Sequence, residues 1–79
     1  MTGTEWMKKT GVAFRLKQAR MHARVTETTA GEAIGATANY IRAIEDGEFN
    51  PSIRRVAQLA HLYGASIDKI VGEAGAYHD

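Results

Sequence analysis

Cysteine is absent from the 79-residue chain. That excludes a disulfide framework and any thiolate metal site, and it fits a reducing compartment. No apolar run approaches membrane-spanning length, and the first residues lack the apolar stretch of a signal peptide. A cytoplasmic protein without membrane contact is the expectation. Strand signals, internal repeats and low-complexity tracts are missing too. So are a glycine-rich phosphate loop and a serine-centred nucleophile motif. His22, His61 and His78 have no partner at metal-ligand spacing, so neither metal, cofactor nor small-molecule substrate is expected, and nothing points to an enzyme. A chain of this length makes one small domain with a single core.

What charge there is lies unevenly. The formal net charge is +1. Residues 1–24 carry Lys8, Lys9, Arg15, Lys17, Arg20 and Arg24 against Glu5, a balance of +5. Residues 25–51 carry Arg42 against Glu27, Glu32, Glu45, Asp46 and Glu48, a balance of −4. The basic first quarter suits a polyanion, and the acidic middle suits a basic protein.

Periodicity divides the rest into helices. Residues 1–11 show none and read as a flexible arm, whose Trp6 is expected to dock on the domain rather than meet a partner. Val12, Leu16, Ala19 and Ala23 place a first helix over 12–23, with Phe14 off the stripe and expected at the core edge. The segment 26–47 reads as two short helices and a tight turn. Thr26 and Thr37 stand at the N-caps, Gly35 at the exit of the first helix, and Gly31 where the two would cross. Ala30, Ala33 and Ile34 share one face; Ile41 and Ile44 share another. That spacing is the requirement of a helix-turn-helix. Gly47 and Pro51 close the segment. Ser52 is expected to cap a fourth helix over 53–63, with Ile53, Val56, Leu59, Ala60 and Tyr63 inward. Gly64 ends it. Ser66 is expected to cap a short fifth helix with Ile67, Ile70 and Val71 inward, and residues 73–79 form a tail. The domain proper is 12–72, all-α.

Ile41, Ile44, Glu45, Gly47, Asn50, Pro51, Ser52, Leu59, Ala60, Gly64, Ser66 and Ile70 give the chain its resemblance. It is similar to the lambda-repressor-like (Cro/repressor-type, Xre) helix-turn-helix family over roughly 12–72. The resemblance implies the five-helix architecture, with the helix-turn-helix at helices 2 and 3. It also implies an ion pair between Arg20, late in helix 1, and Glu45, near the end of helix 3. Such a pair would fix the angle between those helices and leave the guanidinium close to the DNA backbone.

By the same resemblance helix 3 enters the major groove. Ala38, Asn39, Arg42 and Ala43 are then the base readers, and Arg20, Thr26, Thr37, Tyr40, Asn50 and Arg54 the phosphate-positioning residues. An asparagine amide can donate to and accept from adenine, and arginine can bind guanine bidentately or grip phosphate. The alanines can touch thymine methyl groups or serve only as small helix formers. Tyr40 can reach phosphate or pack against helix 2. Three positions depart from the family pattern: Glu27 replaces a glutamine, Ala30 a leucine, and Arg24 the glycine after helix 1. The expected function is a sequence-specific, repressor-type regulator that binds double-stranded DNA as a homodimer. The alternative is a protein-interaction or antitoxin-like module with weak DNA binding.

Overall fold

The computed structural model describes residues 11–72. The arm with Trp6, Lys8 and Lys9, and the tail with His78, lie outside the described residues. Within them the fold is all-helical: α1 Val12–His22, α2 Glu27–Ala33, α3 Ala38–Glu45, α4 Ile53–Leu62 and α5 Ile67–Val71. None of these helices is long and apolar enough to cross a membrane.

Local chemistry sets the starts. The hydroxyls of Thr26, Thr37 and Ser52 accept hydrogen bonds from the backbone N–H groups of Thr29, Tyr40 and Arg55 at 3.0, 3.1 and 3.2 Å. Each satisfies one donor that a first turn leaves without an intrahelical partner. Ser66 differs from expectation: its side chain makes no cap hydrogen bond, and its carbonyl takes the N–H groups of Lys69 and Ile70 instead.

The ends of α1 to α4 share one device. The second residue past each C-cap donates its N–H five residues back: Val25 to Arg20, Ala36 to Gly31, Glu48 to Ala43 and Ala65 to Ala60. The residue before it donates three back: Arg24 to Met21, Gly35 to Glu32, Gly47 to Ile44 and Gly64 to His61. These paired bonds define a Schellman motif, whose pivot residue must take a left-handed backbone. Glycine fills that pivot three times, and at the first turn it is Arg24 with φ 60°. The missing glycine after α1 is therefore not compensated by another kind of turn. The same turn is made, at a steric cost to Arg24 of about 1–2 kcal/mol.

The core is contributed by all five helices. Leu16, Ile41, Ile44, Leu59, Val12 and Val56 are its largest fully buried side chains, and Ala30, Ala60, Ile70 and Val71 close it. Burying each large aliphatic contributes roughly 1.5–3 kcal/mol. Ala30 is completely enclosed.

Two apolar expectations are corrected. Phe14 is 64% exposed rather than at the core edge. At 3.6 residues per turn it lies about 200° around α1 from Val12, and Met21, two turns on, shares its exposed stripe. Ile53 is 42% exposed despite its helical phase. It is the first residue of α4, and its side chain overhangs the end of the core, because helical Cβ atoms tilt toward the N-terminus.

Candidate nucleic-acid interface

The helices α2 and α3 approach closely, and Gly31 permits it. A Cβ built on Gly31 would lie 2.6 Å from the Thr37 carbonyl carbon and 2.7 Å from its oxygen. No side chain fits there. The α2 helix therefore rests directly on the backbone that opens α3, and the turn residues 34–37 hold the two helices in fixed relation.

One face of α3 is anchored and the other is open. Ile41 and Ile44 are buried, whereas Asn39 and Arg42 are exposed and Ala38, Tyr40 and Ala43 are half-buried. The arginine is held from two sides. Its Nη1 donates to Asn39 Oδ1 at 3.0 Å, one turn earlier on the same helix. Its Nη2 donates to Glu27 Oε1 at 3.1 Å, from the first residue of α2. The hydrogen bond from Arg42 is the main reason the Glu27 carboxyl is held below its ordinary range, with the charges of Arg42, Arg20 and Lys17 adding to it. Glu27 is thus a paired acid, and Arg42 bridges the two helices of the motif at their outer edge. Asn39 Oδ1 is engaged internally, which leaves the Asn39 amide N–H groups as its free donors.

Beneath this surface lies a second, partly buried pair. Arg20 Nε and Nη2 donate to Glu45 Oε2 and Oε1 at 2.7 and 3.1 Å, and Nη1 donates to the Val25 carbonyl at 2.9 Å. The side chains are only 11% and 4% exposed. The bidentate bond to Glu45 raises the Arg20 pKa against the opposing pull of desolvation. One guanidinium thereby ties α1, the α1–α2 turn and the end of α3 together. Next to it, the Tyr63 hydroxyl is buried without a hydrogen-bond partner, and burial pushes its pKa up to about 12.

Two further arginines, to which the sequence reading gave no structural role, serve the same architecture. Arg55 on α4 donates to the Ile34 carbonyl at 2.7 Å, where α2 ends. Its guanidinium also lies 5.6 Å from the centroid of the Tyr40 ring. Arg15 on α1 donates to the Ile70 and Val71 carbonyls at 2.6 and 3.4 Å, at the end of α5. Helix C-termini carry unsatisfied carbonyls and partial negative charge, so a cation there satisfies both. Sequence reasoning missed these roles because the partners are 21 and 55 residues away.

The remaining predicted residues divide. Asn50 and Arg54 are exposed beside the start of α4. Thr26 is occupied locally: besides its cap bond, its hydroxyl donates to Thr29 Oγ1 at 2.9 Å. Tyr40 packs its ring on Phe49 at 5.0 Å and an interplanar angle of 56°, so it faces the loop after α3 and α4 rather than α2. Of the five acids in 25–51, Glu27 and Glu45 are neutralised by Arg42 and Arg20. The exposed Asp46 and Glu48 lie beyond the C-terminal end of α3, whereas the exposed Glu32 lies in the last turn of α2, beside Gly31 and the turn that opens α3.

A locked helix pair, capped at both starts and open along α3, defines a helix-turn-helix of the DNA-binding class. A family model described as a helix-turn-helix domain matches residues 12–70, and the chain belongs to that family. No curated protein and no solved structure matches the chain significantly.

Proposed function

We propose that this protein is a sequence-specific transcriptional regulator of repressor type, which inserts α3 into the major groove of double-stranded DNA as a homodimer. The observation that carries the reading is the two-sidedness of α3. Ile41 and Ile44 fix one face in the core, while Asn39 and Arg42 stand exposed on the other with polar atoms suited to base edges. Ala38 and Ala43 flank them with methyl groups. The exposed Asn50 and Arg54 serve the phosphate backbone, joined by the hydroxyls of Thr37 and Tyr40, whereas the Thr26 hydroxyl already donates to Thr29. Arg20 acts by positioning, since all three of its nitrogens are already engaged inside the protein. Two subunits would read two half-sites, with protein symmetry mirrored in the DNA.

The test is a genomic-fragment binding selection with the purified protein, followed by titration of the recovered fragment across a salt series. The expected result is a short inverted repeat bound about a thousandfold or more tightly than competitor DNA, with a salt slope of several released ions. Weak and uniform binding to every fragment would refute it. That outcome would favour a second reading, a protein-interaction module in the cytoplasm. The exposed acids Asp46 and Glu48, next to the exposed Phe49 and Ile53, are the surface that supports it.

A further inference from the structure

Arg42 has two competing uses at a DNA surface. It can grip a phosphate, which carries no sequence information, or it can read the O6/N7 edge of guanine. An unrestrained arginine is drawn to the anion, because a full negative charge outweighs two neutral acceptors at equal distance. Here the choice is biased before DNA arrives. The Glu27 carboxylate lies 3.1 Å from Nη2 and the Asn39 amide oxygen 3.0 Å from Nη1. A phosphate approaching this guanidinium also approaches the Glu27 carboxylate and is repelled by it. A guanine edge is neutral and meets no such penalty, and the arginine still has N–H groups not donated to Glu27 or Asn39.

We infer that Glu27 is a specificity-determining residue: it holds Arg42, together with Asn39, as a guanine reader and excludes it from phosphate. This rests on the reading above, in which α3 lies in the major groove. Glu27 itself contacts no base. It is a positioning residue that discriminates by penalising the wrong contact as well as by orienting the right one. The side chain of Arg42 is 55% exposed and that of Glu27 28%, so the pair sits at the edge where DNA would meet it. Holding the guanidinium in advance also reduces the rotamer entropy lost on binding. The acid at the start of α2, out of place in a phosphate-binding surface, thereby becomes part of the sequence code.

The experiment is a parallel selection from a randomised DNA library with the unaltered full chain, with Glu27→Gln, with Glu27→Asp, and with Arg42→Gln as a reference. Binding of each protein to poly(dA-dT), which carries no guanine-like O6/N7 edge, is measured across the same salt series. Glu27→Gln is expected to keep the rest of the motif and to lose about tenfold preference at one G·C pair. It should also bind poly(dA-dT) several-fold more tightly, with a salt slope steeper by about one ion. Glu27→Asp keeps the charge but shortens the reach. It should lose the guanine preference while its affinity for poly(dA-dT) stays low. Arg42→Gln should lose the preference at the same G·C pair. Retention of that preference in Glu27→Gln, with unchanged poly(dA-dT) binding, overturns the inference and leaves the regulator reading standing. Absence of any motif with the unaltered chain overturns both. Thermal melts of all four proteins serve as folding controls, since Glu27 is surface-placed and either replacement is accommodated at a helix first turn.

Discussion

Gly31 lies against Thr37 so closely that the first carbon of any side chain would fall 2.6 Å from backbone. An alanine within a helix normally stabilises by about 0.5–1 kcal/mol relative to glycine. At this position the steric term wins, because the atoms in the way belong to the main chain and cannot rotate aside. Gly31→Ala should destabilise the domain by about 1–3 kcal/mol. Thermal unfolding followed by circular dichroism reads the effect, and a melting temperature equal to or above that of the unaltered protein would contradict it.

The Arg20–Glu45 pair gives the second prediction. Removing one partner strands the other in a partly closed site, so Glu45→Ala or Arg20→Ala should each cost about 1–3 kcal/mol. Replacing both with apolar residues, as in R20M/E45L, removes both desolvation terms and should cost less than either single change. Val25 would still lose its donor, so some loss remains. Denaturant titrations of the three variants test this, and strictly additive losses would show that the pair is not coupled.

Arg24→Gly should raise stability. The left-handed backbone costs an arginine about 1–2 kcal/mol, against about 0.4–1 kcal/mol for the freedom that glycine adds to the unfolded chain. The net gain of about 0.5–1 kcal/mol corresponds to a rise of several degrees in melting temperature for a domain this size. A fall in melting temperature would mean that the arginine side chain does more at this turn than its backbone strain costs.

What these positions have in common also shows how far the chain could be read in advance. The caps at Thr26, Thr37 and Ser52, the pivots at Gly35, Gly47 and Gly64, and the crossing at Gly31 were legible because their physics is local, set within about five residues. Ile41, Ile44, Val56 and Leu59 followed from helical phase. Phase failed where an element carries apolar residues on two sides, as at Phe14 and Met21, or overhangs its neighbours, as at Ile53. Arg15 and Arg55 were opaque for a different reason. An arginine on a polar face looks solvated until another helix brings a carbonyl terminus to it. At the interface, the exposed face of α3 was legible from the spacing of Ile41 and Ile44. The engagement of Arg42 by Glu27 was not, because it depends on how the start of α2 overlies α3.

Tyr63 supplies a prediction in pH. Its hydroxyl is buried without a partner, and its pKa rises from 10.0 to about 12. The native state therefore holds this proton more tightly than the unfolded chain does. The associated stability is fully present below pH 10 and is lost as pH rises toward 12. Tyr63→Phe should flatten the decline across that window. It should also leave neutral-pH stability unchanged or raise it, because a buried hydroxyl with no partner costs about 1–3 kcal/mol. Unfolding titrations on either side of the ordinary tyrosine range, near pH ~8 and pH ~11, together with the ultraviolet signal of phenolate, measure both effects. An equally steep decline in the variant would place the sensitivity elsewhere.

One guanidinium receives both edges of the described domain. A Cβ at Gly11 would meet Arg15 Nη1 at 3.0 Å and one at Gly72 would meet Nη2 at 3.3 Å, so the first and last described residues are neighbours in space. The domain is a nearly closed ring of chain. A peptide of a few residues could join 72 to 11, and new ends could be opened in the exposed 48–50 segment between α3 and α4. The helix-turn-helix would then run unbroken at the C-terminal end of the permuted chain. Permutation would thus let a second copy or another module be attached directly behind α3.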